Sequence, residues 1–120
     1  MEILNGIDME GTARFKTLIV KETFMAGVYT PAEREAVLAS DDPARQAASF
    51  FSAKEAVSKA LGRGLYGMLP KEIEIFHGAS GRPCVRLLGR SAERYGCYCL
   101  SLSVSYKDGY VVTSCIAYRA

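Results

Sequence analysis

The 120-residue chain carries 15 basic and 13 acidic side chains, a net charge of +2, and 49% hydrophobic residues. That gives room for one domain, residues 1–120, with enough apolar surface for a core that needs no disulfide or metal staple. The near-neutral charge argues against a dedicated nucleic-acid binder, and no apolar run approaches the roughly 18 residues of a membrane span. The acidic start MEILNGIDME lacks the basic-then-apolar layout of a secretory signal, so the expected setting is the cytoplasm.

Residues 2–10 alternate as a strand, with Ile3, Ile7 and Met9 on one face and Leu4, Gly6, Asp8 and Glu10 on the other. Phe15, Leu18 and Ile19 fit a short helix over 12–21 with a basic face of Arg14, Lys16 and Lys21. Thr30-Pro31-Ala32-Glu33 is a capping box with proline at the first helical position, and that helix runs to about Ala39. Ser40-Asp41-Asp42-Pro43 opens the next, which runs from Pro43 to about Leu61 and stops at Gly62-Arg63-Gly64. A glycine-studded loop continues to Pro70. The second half reads as strands over 72–76 and 84–88, a helical stretch over 91–95, and strands over 98–106 and 110–118. Lys107-Asp108-Gly109 turns the last hairpin. The class is α+β, a small, mainly antiparallel sheet packed against one long helix.

The four cysteines (Cys84, Cys97, Cys99 and Cys115) show no C-x-x-C spacing, so they are expected reduced and packed as small apolar side chains. His77 lies at the edge of a turn, before Gly78-Ala79-Ser80-Gly81. Asp8 and Glu10 share a strand face about 7 Å apart, a repulsion that a cation relieves and that a solvated strand end explains equally well. On the long helix, Glu55 shares a stripe with Phe51, Ser58 and Lys59. Glu55 and Lys59 have the spacing of an ordinary surface ion pair. Lys59 also stands just before Gly62-Arg63-Gly64, where backbone N–H groups and cations suit a phosphate. Carboxylates for Mg²⁺ beside a Lys/Gly/Arg patch are what phosphoryl chemistry requires.

Gly6-Ile7-Asp8, the run Phe51-Ser52-Ala53-Lys54-Glu55-Ala56-Val57-Ser58-Lys59-Ala60-Leu61-Gly62, and Gly81-Arg82-Pro83 together resemble the 4′-phosphopantetheinyl transferases, in their short holo-acyl-carrier-protein synthase form. The resemblance spans nearly the whole chain. It implies transfer of the phosphopantetheine arm of coenzyme A to a serine of an acyl or peptidyl carrier protein, releasing adenosine 3′,5′-bisphosphate. It further implies Mg²⁺ on Asp8 and Glu55, and Lys59, Arg82 and Pro83 at the coenzyme. The resemblance also implies a homotrimer with sites between subunits, and a carrier docked by basic residues after the first strand, here Arg14, Lys16 and Lys21, a face that an ordinary solvated helix explains equally well. Glu55 is the expected base.

The chain departs from the family pattern in three places. The Asp8-x-Glu10 pair belongs to the longer branch and makes Glu10 a candidate third metal ligand. The family's His-x-Ser-Ile-x-His stretch reads Ser101-Leu102-Ser103-Val104-Ser105-Tyr106 here, leaving Ser103 as a candidate phosphate contact. Phe50 stands where arginine is common. The alternatives are a non-catalytic relative that binds coenzyme A as a scaffold or regulator, and an unrelated interaction domain.

Overall fold

Ten residues, Glu2–Gly11, form β1, which opens the chain in the computed structural model; residues 1–62 and 67–120 are described. A single helical turn, α1 (Phe15–Leu18), replaces the longer helix expected over 12–21. A second helix that the sequence reading did not anticipate, α2 (Glu22–Val28), follows it. Its start carries no side-chain cap, which removes the usual sequence signal. What holds it is aromatic packing: the Phe24 ring lies 6.1 Å from Phe15, 5.8 Å from Tyr29 and 6.2 Å from Phe51.

Helix α3 (Pro31–Ala39) starts as its capping box requires: Thr30 Oγ1 accepts from the Glu33 N–H, and the Thr30 N–H donates to Glu33 Oε1 at 2.9 Å. The long helix α4 (Pro43–Ala60) starts under Asp42, whose Oδ1 accepts from the Arg45 N–H, and ends before Gly62 at φ +78°. After a 3-10 turn (Pro70–Glu72) come β2 (Ile73–His77), β3 (Pro83–Leu87), α5 (Gly89–Tyr95), β4 (Cys99–Lys107) and β5 (Tyr110–Arg119). His77 ends β2, at the turn edge expected for it.

Strands β1, β5 and β4 form one antiparallel sheet in that order, and β2 with β3 forms a separate two-stranded hairpin. Asp108 and Gly109 both take positive φ between Lys107 and Tyr110, the two-residue turn that matches the twist of the flanking strands. Helix α4 lies across the sheet's inner face. Its Ala47, Ala48, Ala53, Ala56 and Val57 are fully buried, and these small side chains let helix and sheet approach closely. Opposite them lie Val111, Cys115 and Ala117 of β5, also fully buried.

Only Cys115 is the buried thiol expected of all four cysteines. Cys84 is half-buried, and Cys97 and Cys99 are exposed because they stand where β4 begins, outside the core; all four are free. Lys54 is wholly buried on α4. Its Nζ donates to Glu33 Oε1 at 2.8 Å, Pro70 O at 2.8 Å and Ile73 O at 2.6 Å, which uses all three ammonium protons. Glu33 Oε2 accepts from the Ile75 N–H, so one satisfied ion pair ties α3, α4, the 3-10 turn and β2 together. Among the described residues no helix is long and apolar enough to cross a membrane.

Candidate active site

The site begins with a glycine. Gly6 faces α4 so closely that a Cβ there would stand 2.1 Å from Ala56 O and 2.5 Å from Ala60 N. Its bare backbone seats β1 against the helix turn that carries Glu55 and Lys59. Two residues on, with the same parity, Asp8 points to the same side. Asp8 is 8% exposed, so the pair of strand carboxylates is no solvated strand end.

Lys59 does not pair with Glu55 along the helix. Its Nζ reaches across to Asp8 Oδ1 at 3.1 Å and to Ile7 O at 3.2 Å. The other oxygen, Asp8 Oδ2, is buried with no hydrogen-bond partner. Ser58, expected on the same stripe as Glu55 and Lys59, is buried, and its hydroxyl donates to Glu55 O. Ser52 Oγ reaches Asp8 O at 3.4 Å.

Glu55 is partly buried, and burial pushes its carboxyl above the usual range. The Asp8 charge adds to this, and Lys59 and Arg14 oppose it. Glu10 is raised for the same reasons, burial first and then Asp8, with Arg14 again opposing. Both glutamates are therefore repelled by Asp8, a repulsion that a cation beside Asp8 would relieve.

The structure does not assemble the expected three-ligand set, however. Among the described residues no three His, Cys, Asp or Glu side chains group as a metal cluster. Glu10 is held by Arg14 at 2.6 Å, an i,i+4 pair that spans the end of β1 and the approach to α1. The Arg14 guanidinium lies 4.9 Å from the Phe15 ring centroid and 5.6 Å from that of Phe51. Arg14 thus reaches the site while its side chain stays 55% exposed, and Lys16 and Lys21 are exposed as expected.

The remaining candidates lie apart from this group. Arg82 and Pro83, on the β2–β3 turn, line a cavity of about 400 Å³ with Leu100, Leu102 and Tyr118, none of which belongs to the Asp8 group. Ser103 pairs with Ser114 on the outer face of the sheet, whereas Asp8 pairs with Thr113 and faces inward. Within one chain Ser103 therefore does not meet the carboxylates. Gly62 is exposed at the end of α4, and Arg63 and Gly64 lie outside the described residues. Sequence reasoning missed Thr113, whose hydroxyl is fully buried and unpartnered directly across from Asp8; only the strand register reveals it.

The family model described as the 4′-phosphopantetheinyl transferase superfamily matches residues 5–115, from before Asp8 to the last core strand. The chain belongs to that superfamily. A holo-[acyl-carrier-protein] synthase of Caldanaerobacter subterraneus subsp. tengcongensis is 37% identical over 121 residues, covering 98% of this chain and 95% of that relative. The crystal structure of holo-[acyl-carrier-protein] synthase from Neisseria meningitidis superposes with a TM-score of 0.86 at 28% identity, over 97% of this chain and 98% of that one. The Helicobacter pylori synthase in complex with coenzyme A gives 0.83 at 27% identity, over 96% and 100%. The fold expected from the resemblance is therefore the fold observed, and the chain is a phosphopantetheinyl transferase by family.

Proposed function

We propose that this chain transfers the 4′-phosphopantetheine group of coenzyme A to a serine hydroxyl of an acyl or peptidyl carrier protein, with Mg²⁺ as cofactor. The observation that carries the metal dependence is the orphaned, buried Asp8 Oδ2 beside the raised Glu55 carboxyl. Two carboxylates suffice for Mg²⁺, which keeps water and substrate phosphate in its remaining positions. Asp8 and Glu55 would hold it, and when bound it supplies neutralising charge to the pyrophosphate. Glu10, already engaged by Arg14, stays outside that first set.

Lys59, 48% exposed at its side chain, extends past Asp8 and can hold a phosphate oxygen while remaining near the carboxylate. Glu55 accepts the serine proton as the serine oxygen bonds to the phosphorus bearing the pantetheine arm. The bond from that phosphorus to the bridging oxygen breaks, and adenosine 3′,5′-bisphosphate leaves. Exposed Lys16 and Lys21, with Val20 between them, suit an acidic carrier surface.

Turnover is read by intact-mass spectrometry of an apo carrier protein incubated with this chain, coenzyme A and Mg²⁺. The expected result is a gain of one phosphopantetheine, abolished by EDTA. Binding of coenzyme A without any mass gain across several carriers would instead establish the non-catalytic relative. That reading draws on Ser101 and Tyr106 standing where the family often has histidines.

The outer face of the three-stranded sheet supports a homotrimer. Ile3, Ile7 and Met9 are 65%, 61% and 62% exposed there, and Val112 and Ile116 of β5 share that face. Apolar exposure of this kind, interrupted by Asn5 and Ser114, marks an interaction surface, here for copies of the same chain. Ile7→Lys is expected to yield monomer in light scattering while keeping the far-UV circular dichroism of the parent. A trimeric Ile7→Lys protein would remove this face from the interface.

A further inference from the structure

Asp8 Oδ2 and Thr113 Oγ1 are both buried without a partner among the described residues, and the two residues face each other across β1 and β5. Directly opposed residues on one sheet face have Cβ atoms about 5 Å apart, close enough for one small molecule to bond both side chains. A buried hydroxyl without a partner is costly, and Asp8 Oδ2, in a carboxyl set against that of Glu10, adds concentrated negative charge at the same place. The inner-face neighbours of Thr113 along β5, Val111 and Cys115, are buried apolar or weakly polar side chains, so a hydroxyl is not what packing alone selects at this position.

We propose that Thr113 is a positioning residue whose hydroxyl holds a water of the hydration shell of the divalent cation that Asp8 Oδ2 and Glu55 bind. The inference rests on the Mg²⁺ dependence proposed above. Mg²⁺ gives up its waters reluctantly, and a threonine hydroxyl can accept from such a water or donate to the carboxylate beside it. The hydroxyl thereby orients Asp8 toward the cation without ligating it, the role that outer partners play at metal centres. Lys59 holds the opposite oxygen of the same carboxylate, so Asp8 is fixed from both sides.

The test compares Thr113→Val, which removes the hydroxyl and keeps the shape, with Thr113→Ser, which keeps the hydroxyl. Each EDTA-treated protein is titrated with MgCl₂ alone, and the melting temperature is followed. Metal-free Thr113→Val is expected to melt at or above the parent temperature, because an unsatisfied buried hydroxyl has gone. Its half-saturating Mg²⁺ concentration is expected to rise roughly 10- to 100-fold, with Thr113→Ser close to the parent. The concentration of Mg²⁺ that half-saturates phosphopantetheine transfer should shift in parallel.

A Thr113→Val protein that titrates like the parent within about twofold would overturn the proposal. So would a lower metal-free melting temperature, since that would show the hydroxyl bonded within the fold. If the parent itself responds to Mg²⁺ neither in melting nor in transfer, the metal reading fails first, and this inference with it.

Discussion

Asp8→Asn is expected to lower the rate of phosphopantetheine transfer by at least about a hundredfold, the scale of removing one electrostatic contact to developing charge. The fold should survive. The substitution keeps the shape of a side chain that is 8% exposed, and the Lys59 contact it weakens is half in solvent. Stability should move the other way. Glu10 and Glu55 have carboxyls raised by burial and by Asp8, so in the metal-free protein their charged forms destabilise the fold above those raised values. The penalty is relieved as pH falls through them. These two groups should thus favour the metal-free fold on going from neutral to mildly acidic pH, against the lowered carboxyls of Glu2, Glu22, Glu72 and Glu74, and Asp8→Asn should shrink their contribution by removing the charge that both glutamates feel. Denaturant titrations at neutral pH and near pH 5, with EDTA, measure the difference. A variant as active as the parent, or one with an unchanged pH slope, would separate Asp8 from the carboxylate group.

What the sequence made legible was local. Asp8 lies on a strand whose alternation, and Glu55 on a helix whose Asp42-Pro43 start, are written within a few residues, so element and parity could both be read. What it hid needs tertiary knowledge. Arg14 looks like one residue of a solvated basic face until the chain turns after Gly11 and carries it back over Glu10 and Phe51. That Ser103 stands apart from Asp8 within one chain shows only in the register, with Ser103 opposite Ser114 and Asp8 opposite Thr113, which puts the two on opposite faces of one sheet. Lys54 reads as one more helix cation, and only its burial against Glu33, 21 positions away in the chain, shows why a charge can sit in the core. Helix α2 was invisible for the simpler reason that packing rather than a cap defines its start.

Gly6→Ala should be strongly destabilising, its Cβ making the closest backbone approach of any described glycine position. The new Cβ would meet Ala56 O at 2.1 Å and Ala60 N at 2.5 Å, and both are helix backbone with no rotamer to escape into. Strand and helix must therefore separate, at a cost of about 3 kcal/mol or more and a fall in melting temperature of roughly 10 °C or more. Activity should fall further than stability does. β1 carries Asp8 while α4 carries Glu55 and Lys59, and a displacement of about 1 Å between catalytic groups can cost a hundredfold in rate. Gly11→Ala is the matched control: its Cβ would find only the Tyr110 ring, at an ordinary 3.8 Å, and should leave melting and transfer almost unchanged. If Gly6→Ala instead melts and turns over like Gly11→Ala, the close seating of β1 on α4 is not what holds Asp8 beside Glu55. The glycine two residues before the aspartate would then need another explanation. On the geometry, its place in the motif follows from contact: the Asp8 carboxylate can be brought to the helix only by a residue that occupies no space itself.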